Sequence, residues 1–391
     1  MSLLPLQDPT FADNPEQYFK VLREEAPLYW SEDYGFWVVS CYEDVDRFSR
    51  NPQMFSSRVN FANSSKFAET DYLPMLQDDP PVHTRLRSLV SRTFSPRRIA
   101  KLEQGILDLS LDLVNDIERK YENGEKLDFF RDYSSPLPVN VIANLLGVPS
   151  EERENLQLWA EATGIGSGER YTPDQQTLVT DELRVCLERL IDLRRTRPED
   201  DLISAMAKVA DEDGEKLKAD ELLGFCELFW IAGNETTTNL LSNGAVFIQK
   251  NPEWKNWLSE ADENEIGQFV EEMLRLNGPV NGLFRSATQN IHHRGVEIQE
   301  GQPVLLLWAS ANMDEKHFEN PAIFNIERSP NDHLAFGKGI HFCAGAALAR
   351  MEARIAFPAV AKLLGKYTLV PEEGLRIPSP VLRGWVSLPM R

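Results

Sequence analysis

Apolar positions recur with a helical period through most of the chain and with a strand period in a few short stretches. The longest helical run is Asp220 to Lys250. Its length of about 31 residues, roughly 46 Å at a rise of about 1.5 Å per residue, is enough to cross a whole domain. Helical patterning also fills His83 to Leu146, with breaks near Ser95-Pro96 and Asn123-Gly124 and a stop at Gly147-Val148-Pro149. A new helix is predicted from Ser150, where Glu151 and Glu152 suit a first turn. Another stop falls at Arg197-Pro198, and a strong helical run covers Ala344 to Lys362. Extended runs at Leu28–Ser31 and Phe36–Ser40 predict a hairpin turning at Asp33-Tyr34-Gly35. Val296–Leu307 and Tyr367–Val370 read as later strands, ahead of a proline-rich irregular tail. Ser56–Pro81 reads as a long loop with a short helix, Gly164–Gln176 as a loop between two helices and Asp211–Gly214 as a solvated turn; long loops in compact domains are often functional. The class is mainly α with a smaller β part. With no Gly/Ser-rich or Pro-rich linker and no internal repeat, a single domain over residues 1–391 is credible, although length alone would allow two or three.

Composition narrows the function. The 391 residues carry a formal charge of −20, from 41 Lys and Arg against 61 Asp and Glu. That balance disfavours nucleic acid and anionic membrane as partners. Met1 to Tyr18 has neither a basic n-region nor a long apolar run, so neither a signal peptide nor a membrane anchor is expected. Uncharged stretches such as Gln302–Met313 are too short to span a bilayer. Cys41, Cys186, Cys226 and Cys343 are scattered without a C-x-x-C, which points to neither a zinc site nor a disulfide framework and fits a reducing cytoplasm.

The most informative segment is Phe336-Gly337-Lys338-Gly339-Ile340-His341-Phe342-Cys343-Ala344-Gly345. It sets one cysteine on a glycine-punctuated turn directly before a helix. A helix N-terminus favours thiolate over thiol, and a thiolate can ligate a metal. One alternative is a buried structural cysteine. Another, a dinucleotide loop, fails because the third glycine of G-x-G-x-x-G is Phe342. Three further patterns are individually weak. Ala232-Gly233-Asn234-Glu235-Thr236-Thr237 puts poor helix formers mid-helix, either as a kink for packing or as a functional loosening. Glu272-Met273-Leu274-Arg275 is an E-x-x-R, in isolation an exposed i,i+3 pair. His83 and Arg87, after Asp79-Pro80-Pro81, share a helix face and in isolation would be a surface helix start.

Together and in this order these segments resemble the cytochrome P-450 family. The loop matches F-G-x-G-x-H-x-C-x-G at every fixed position, followed by Ala347-Leu348-Ala349-Arg350 and Glu352. The resemblance runs from about residue 10 to the C-terminus. It implies the family's single large triangular domain, mainly α, and a haem b whose axial ligand is the Cys343 thiolate; the family is a standing example of such ligation. It implies that His83, Arg87, Arg285 and His341 hold the haem propionates, with Phe336 near the sulfur and backbone N–H groups after Cys343, up to Gly345, tuning it. Glu235 is implied to deliver protons from solvent and Thr236 to hydrogen-bond bound dioxygen. The segment about a hundred residues before the cysteine resembles A-G-x-[DE]-T, with Glu at the acidic position. Glu272, Arg275 and Arg328, the last in Pro321-x-x-Phe324-x-x-x-Arg328, are implied to form a structural network that locks the cysteine loop.

By position, Leu228, Ile231, Ala232, Leu283 and Phe284 are substrate-pocket candidates, although such apolar spacing also suits plain core. His292, His293, His317 and His333 are expected at the surface. Arg92, Arg97, Arg98, Lys338 and Arg354 are candidates for docking an acidic ferredoxin, against a scatter of solvated charges. The implied activity is monooxygenation of an apolar small molecule by dioxygen. Electrons would come from NAD(P)H through a reductase and a ferredoxin or flavodoxin. The protein would be a soluble, bacterial-type, cytoplasmic monomer. Peroxide-driven oxygenation and a non-catalytic haem sensor are the alternatives.

Overall fold

The structure, a computed structural model, describes residues 3–6, 11, 14–59, 73–164, 170–212 and 219–391. Residues 60–72 of the first predicted loop, 165–169 of the second and 213–214 of the Asp211–Gly214 turn lie outside the described residues. Contacts divide the chain into two compact units. One joins Met1–Arg87, Glu271–Cys343 and Pro378–Arg383; the other joins Ser88–Val270, Ala344–Ile377 and Gly384–Arg391.

The first unit is organised on a five-stranded sheet. Its strand order is Leu28–Ser31, Phe36–Val39, Pro303–Leu306, Leu283–Ala287, Phe55–Ser56. The predicted hairpin forms in the register Leu28↔Val39 to Ser31↔Phe36. Phe36–Val39 then pairs in parallel with Pro303–Leu306, and the remaining pairs are antiparallel. Alternation along each strand sorts side chains to two cores. Val39, Val304 and Leu306 enter one cluster, with Phe48, Phe55 and Trp308. Phe36, Val38, Leu305 and Leu307 enter the other, with Phe19 and Leu22. The predicted strand Val296–Leu307 is interrupted. Val296–Ile298 pairs with Ile291–His293 as a separate hairpin, and Pro303–Leu306 joins the main sheet. Only two of the four "surface" histidines behave as expected: His292 is exposed and His317 is partly so. His293 bonds Asp44 at 2.7 Å. His333 is buried, with Nε2 3.1 Å from Glu271 Oε2.

The second unit is helical. Ala219–Lys250 is continuous over 32 residues and packs on Pro136–Leu146 and Ala346–Leu363. Gly233 has a packing reason to sit mid-helix: a Cβ there would lie 2.5 Å from Ile142 Cδ1. Pro173–Thr196 opens with a Thr172/Gln175 capping box and stops before Arg197-Pro198 as predicted. At Ser150 a 3₁₀ turn to Asn155 precedes the α-helix Leu156–Thr163. Tyr367–Val370 is not a strand; only Leu369 makes an isolated bridge, to Met390. Among the described residues no helix is long and apolar enough to cross a membrane.

Candidate active site

The cysteine loop folds back on itself within the first unit. Gly337 N–H donates to Leu334 O at 2.8 Å, and Cys343 N–H to Phe336 O at 2.9 Å. The Phe336 and Phe342 rings face each other edge-on at 6.2 Å. Cys343 is half-buried, whereas the other three cysteines are buried, their thiols pushed up by burial. Gly345 caps the helix Ala346–Leu363, so the helix starts two residues later than its pattern implied. The turn needs its glycines. Gly339 has φ +72°, and a Cβ there would lie 2.7 Å from Ser49 O. Gly339→Ala is therefore expected to cost about 1–3 kcal/mol, measured by chemical denaturation; an unchanged midpoint would show that the turn tolerates a side chain.

His83, Arg87, Arg285 and His341 converge in this same unit. The His83 and His341 rings lie 4.2 Å apart, and Ser57 Oγ is 2.8 Å from His341 Nε2. Arg285 is 5% exposed, and its Nη1 donates to the carbonyl of Phe284 at 2.8 Å. Burial pushes its guanidinium down to about 10, against the pull of Asp79. Burial also lowers Arg87, partly offset by charge at Cys343. His341 is pushed down to about 3 by burial and then by Arg285, His83 and Arg87. Burial, then Arg87, lowers His83, whose buried Nε2 has no hydrogen-bond partner. Asp79, the carboxylate acting on both His83 and Arg285, is already bonded to Ser56 and to Ser57 N–H. Desolvated cations, a buried imidazole lacking a partner and a carboxylate already committed fit a ligand bearing two carboxylates, as haem does.

A pH effect follows. A histidine held neutral when folded binds fewer protons than it does unfolded, so stability falls as pH drops below the ordinary histidine value toward about 3. In apoprotein His341 is expected to remove about 2 kcal/mol between pH 6.5 and 5. Urea midpoints should therefore drop over that interval, and His341→Gln should flatten the drop.

Glu272, Arg275 and Arg328 form one network in the first unit. Arg275 grips Glu272 through two bonds, of 2.7 and 2.8 Å, with both side chains fully buried. Arg328 Nε reaches Glu272 Oε1 at 3.2 Å, and Asn325 N–H and Asn331 Nδ2 donate to the same carboxylate. Burial alone would raise Glu272, but Arg275, the Asn325 N–H and Arg328 hold it below its ordinary value.

Glu235 and Thr236 lie on the long helix of the second unit. Thr236 Oγ1 donates to Ala232 O at 2.7 Å, the backward bond expected of a mid-helix threonine. Glu235 lines a cavity with Asn234, Thr238 and Asn239. The pocket candidates divide. On the helix, Leu228 is buried, Ile231 half-buried and Ala232 exposed. Leu283 and Phe284 are neighbours on one strand and leave opposite faces of the sheet. Both are half-buried: Phe284 packs against one cluster, its ring 5.0 Å from Phe36, and Leu283 packs against the other.

Arg98 pairs with Asp200 at 3.5 Å and Arg354 pairs with Glu263; neither is a free cation. Sequence reasoning also missed Ser57 and Trp308. Their signal is only three-dimensional: Ser57 bonds His341, and a Cβ on Gly337 would lie 3.2 Å from the Trp308 ring.

Comparison with known proteins places these arrangements in context. The family model described as Cytochrome P450 matches residues 180–388. The polyketide biosynthesis cytochrome P450 PksS of Bacillus subtilis (strain 168) is 35% identical over 398 residues, spanning 97% of this chain and 96% of its own. The structure of CYP109Q5 from Chondromyces apiculatus superposes with a TM-score of 0.86 at 34% identity, covering 99% of this chain and 97% of that one. The structure of CYP109E1 from Bacillus megaterium in complex with corticosterone gives 0.85 at 33% identity, covering 98% and 99%.

Proposed function

The chain belongs to the cytochrome P450 family of haem-dependent monooxygenases, and from that premise we propose that it inserts one atom of dioxygen into an apolar small molecule. Haem b, when bound, would supply redox-active iron for dioxygen chemistry. The Cys343 thiolate would ligate that iron, with Phe336 beside the sulfur and backbone N–H groups through Gly345 polarising it. His83, Arg87, Arg285 and His341 would hold its two carboxylates. Glu235 delivers protons and Thr236 orients their acceptor; splitting an O–O bond into water and an inserted atom consumes two protons, which positioned donors supply. Glu272, Arg275 and Arg328 hold the loop in shape.

The observation that carries this reading is the desolvated basic cluster, short of anions, in the same unit as the cysteine loop. The reading extends to a single-domain, cytoplasmic monomer served by a ferredoxin or flavodoxin, with no nucleic-acid partner. PksS and the corticosterone complex, each speaking for its own protein, make polyketides and steroids the first classes to try.

The test is reconstitution with NAD(P)H and a surrogate reductase–ferredoxin pair, after Soret titration against steroids, polyketides, fatty acids and terpenoids. A shift to high spin and oxygenated product under NAD(P)H are expected. Product with peroxide alone would mean a peroxygenase, and reduction without any product a sensor. If Glu235→Gln then coupled reducing equivalents to product as well as wild type, the proton role would be lost.

A further inference from the structure

The helix Pro173–Thr196 turns an apolar stripe outward from the second unit. Leu183, Leu187 and Leu190 on its inner side are buried. On the outer side Val185 is 63% and Leu178 61% exposed, the two most exposed large apolar side chains among the described residues, and Leu193 is 39% exposed. Glu182 and Arg189 are exposed as well. Steps of four, three, four and four residues keep Leu178, Glu182, Val185, Arg189 and Leu193 on one helical face. Single surface leucines are ordinary, but an aligned row rimmed by charge marks a contact surface.

The order along this face is apolar, acidic, apolar, basic, apolar, and a copy laid against it in the opposite direction presents the complement. Leu178 and Leu193 are equidistant from the point between Val185 and Cys186; so are Glu182 and Arg189, and so are Asp174 and Arg197. Among the described residues Asp174, Glu182 and Arg197 make no ion pair. Arg189 pairs with Glu152 of its own chain, yet 63% of its side chain stays exposed. A surface that is its own complement is what a closed, isologous dimer requires. We propose that this helix face docks a second copy of the chain, antiparallel, about a twofold axis beside Val185. Leu178 then meets the partner's Leu193 about 11 Å from the centre and Glu182 meets the partner's Arg189 about 5 Å from it. Asp174 meets the partner's Arg197 at the two ends, and Val185 meets its own copy near the axis. An interface one helix long lies at the small, transient end of the range, so the chain is monomeric when dilute and pairs as its concentration rises. Each copy carries a charge of −20, and that repulsion opposes pairing until salt screens it. The apolar contacts supply affinity and the ion pairs fix the register. The inference goes beyond the monooxygenase reading and does not depend on it.

Sedimentation velocity of the full, haem-loaded chain tests the pairing. At physiological ionic strength the mean sedimentation coefficient is expected to rise reversibly from monomer toward dimer across a concentration series, and to rise less in low salt. Val185→Glu brings two carboxylates together near the axis and is expected to weaken association about tenfold or more. Glu182→Arg and Arg189→Glu, each of which opposes like charges across the interface, should each weaken it by about tenfold, and the double variant should recover most of that loss. These side chains are exposed, so haem content and urea midpoints should stay at wild-type values, which separates lost pairing from lost fold. A single monomeric species at every concentration overturns the proposal. A dimer that Val185→Glu leaves intact overturns it too, because its interface then lies elsewhere. A double variant no stronger than either single change removes the antiparallel register.

Discussion

Glu272→Ala is expected to yield protein that does not retain haem and is about 3–5 kcal/mol less stable, the usual cost of stranding a buried charge. The geometry explains the size. Removing the carboxylate leaves the fully buried Arg275 guanidinium and the nearly buried Arg328 without a counter-charge. It also frees the N–H of Asn325 and the amide of Asn331. The damage reaches the cysteine through a chain of hydrogen bonds. Arg275 Nη1 donates to Asn312 O at 2.9 Å, and Asn312 Oδ1 accepts from Leu334 N–H at 2.6 Å. Leu334 O accepts from Gly337 N–H, and the turn closes at Cys343 N–H to Phe336 O. Haem content per chain and urea denaturation are the measurements. Glu272→Gln keeps the shape without the charge and should fall between wild type and alanine. A Glu272→Ala protein that loads haem stoichiometrically would refute the link between network and loop. The same pair adds acid sensitivity. Because Glu272 is held below its ordinary value when folded, its contribution is present above about pH 4.5 and is lost as pH falls further.

Which parts of this were legible in the sequence follows from the range of the interactions. Helix stops set by Gly147-Val148-Pro149 and Arg197-Pro198 are local, and they fall where the pattern placed them. The hairpin at Leu28–Val39 is also local. Val296–Leu307 failed as one strand because its two halves pair with different partners, which no apolar run encodes. His333 looked like a surface histidine because its partner, Glu271, lies 62 residues earlier. Leu283 and Phe284 pack against different clusters because period-two alternation sends neighbours to opposite faces of a strand. Arg98 and Arg354 stand out in an acidic sequence, and their partners Asp200 and Glu263, distant in sequence, meet them only in three dimensions. Residue types at motif spacing located the basic cluster. The desolvation of Arg285 and the missing partner of His83 Nε2 are what give that cluster its anion-binding character, and both are properties of packing.

Thr236→Val is expected to bind haem and substrate normally yet couple at most about a tenth of its reducing equivalents to product, releasing the remainder as hydrogen peroxide; a positioned proton-transfer group contributes ~10² or more. The hydrogen bond already made by Thr236 sharpens this. Its single hydroxyl proton is donated to Ala232 O at 2.7 Å, so what the side chain still offers is oxygen lone pairs, not a proton. Thr236 thus acts by accepting from a protonated group and holding it in place, while the proton itself must come from Glu235. Thr236→Ser keeps both the backward bond and the lone pairs and should remain largely coupled. Valine keeps the β-branched shape that suits the helix wall but has no oxygen. The contrast between valine and serine, read as product formed and peroxide released per NAD(P)H, isolates the acceptor from packing. Equal coupling in the two variants would sink the assignment, because the oxygen would then be dispensable. Glu235→Gln completes the argument. If the acid supplies the proton that Thr236 holds, adding Glu235→Gln to Thr236→Val should cost little more than either change alone. Losses that multiply would place the two residues on separate routes.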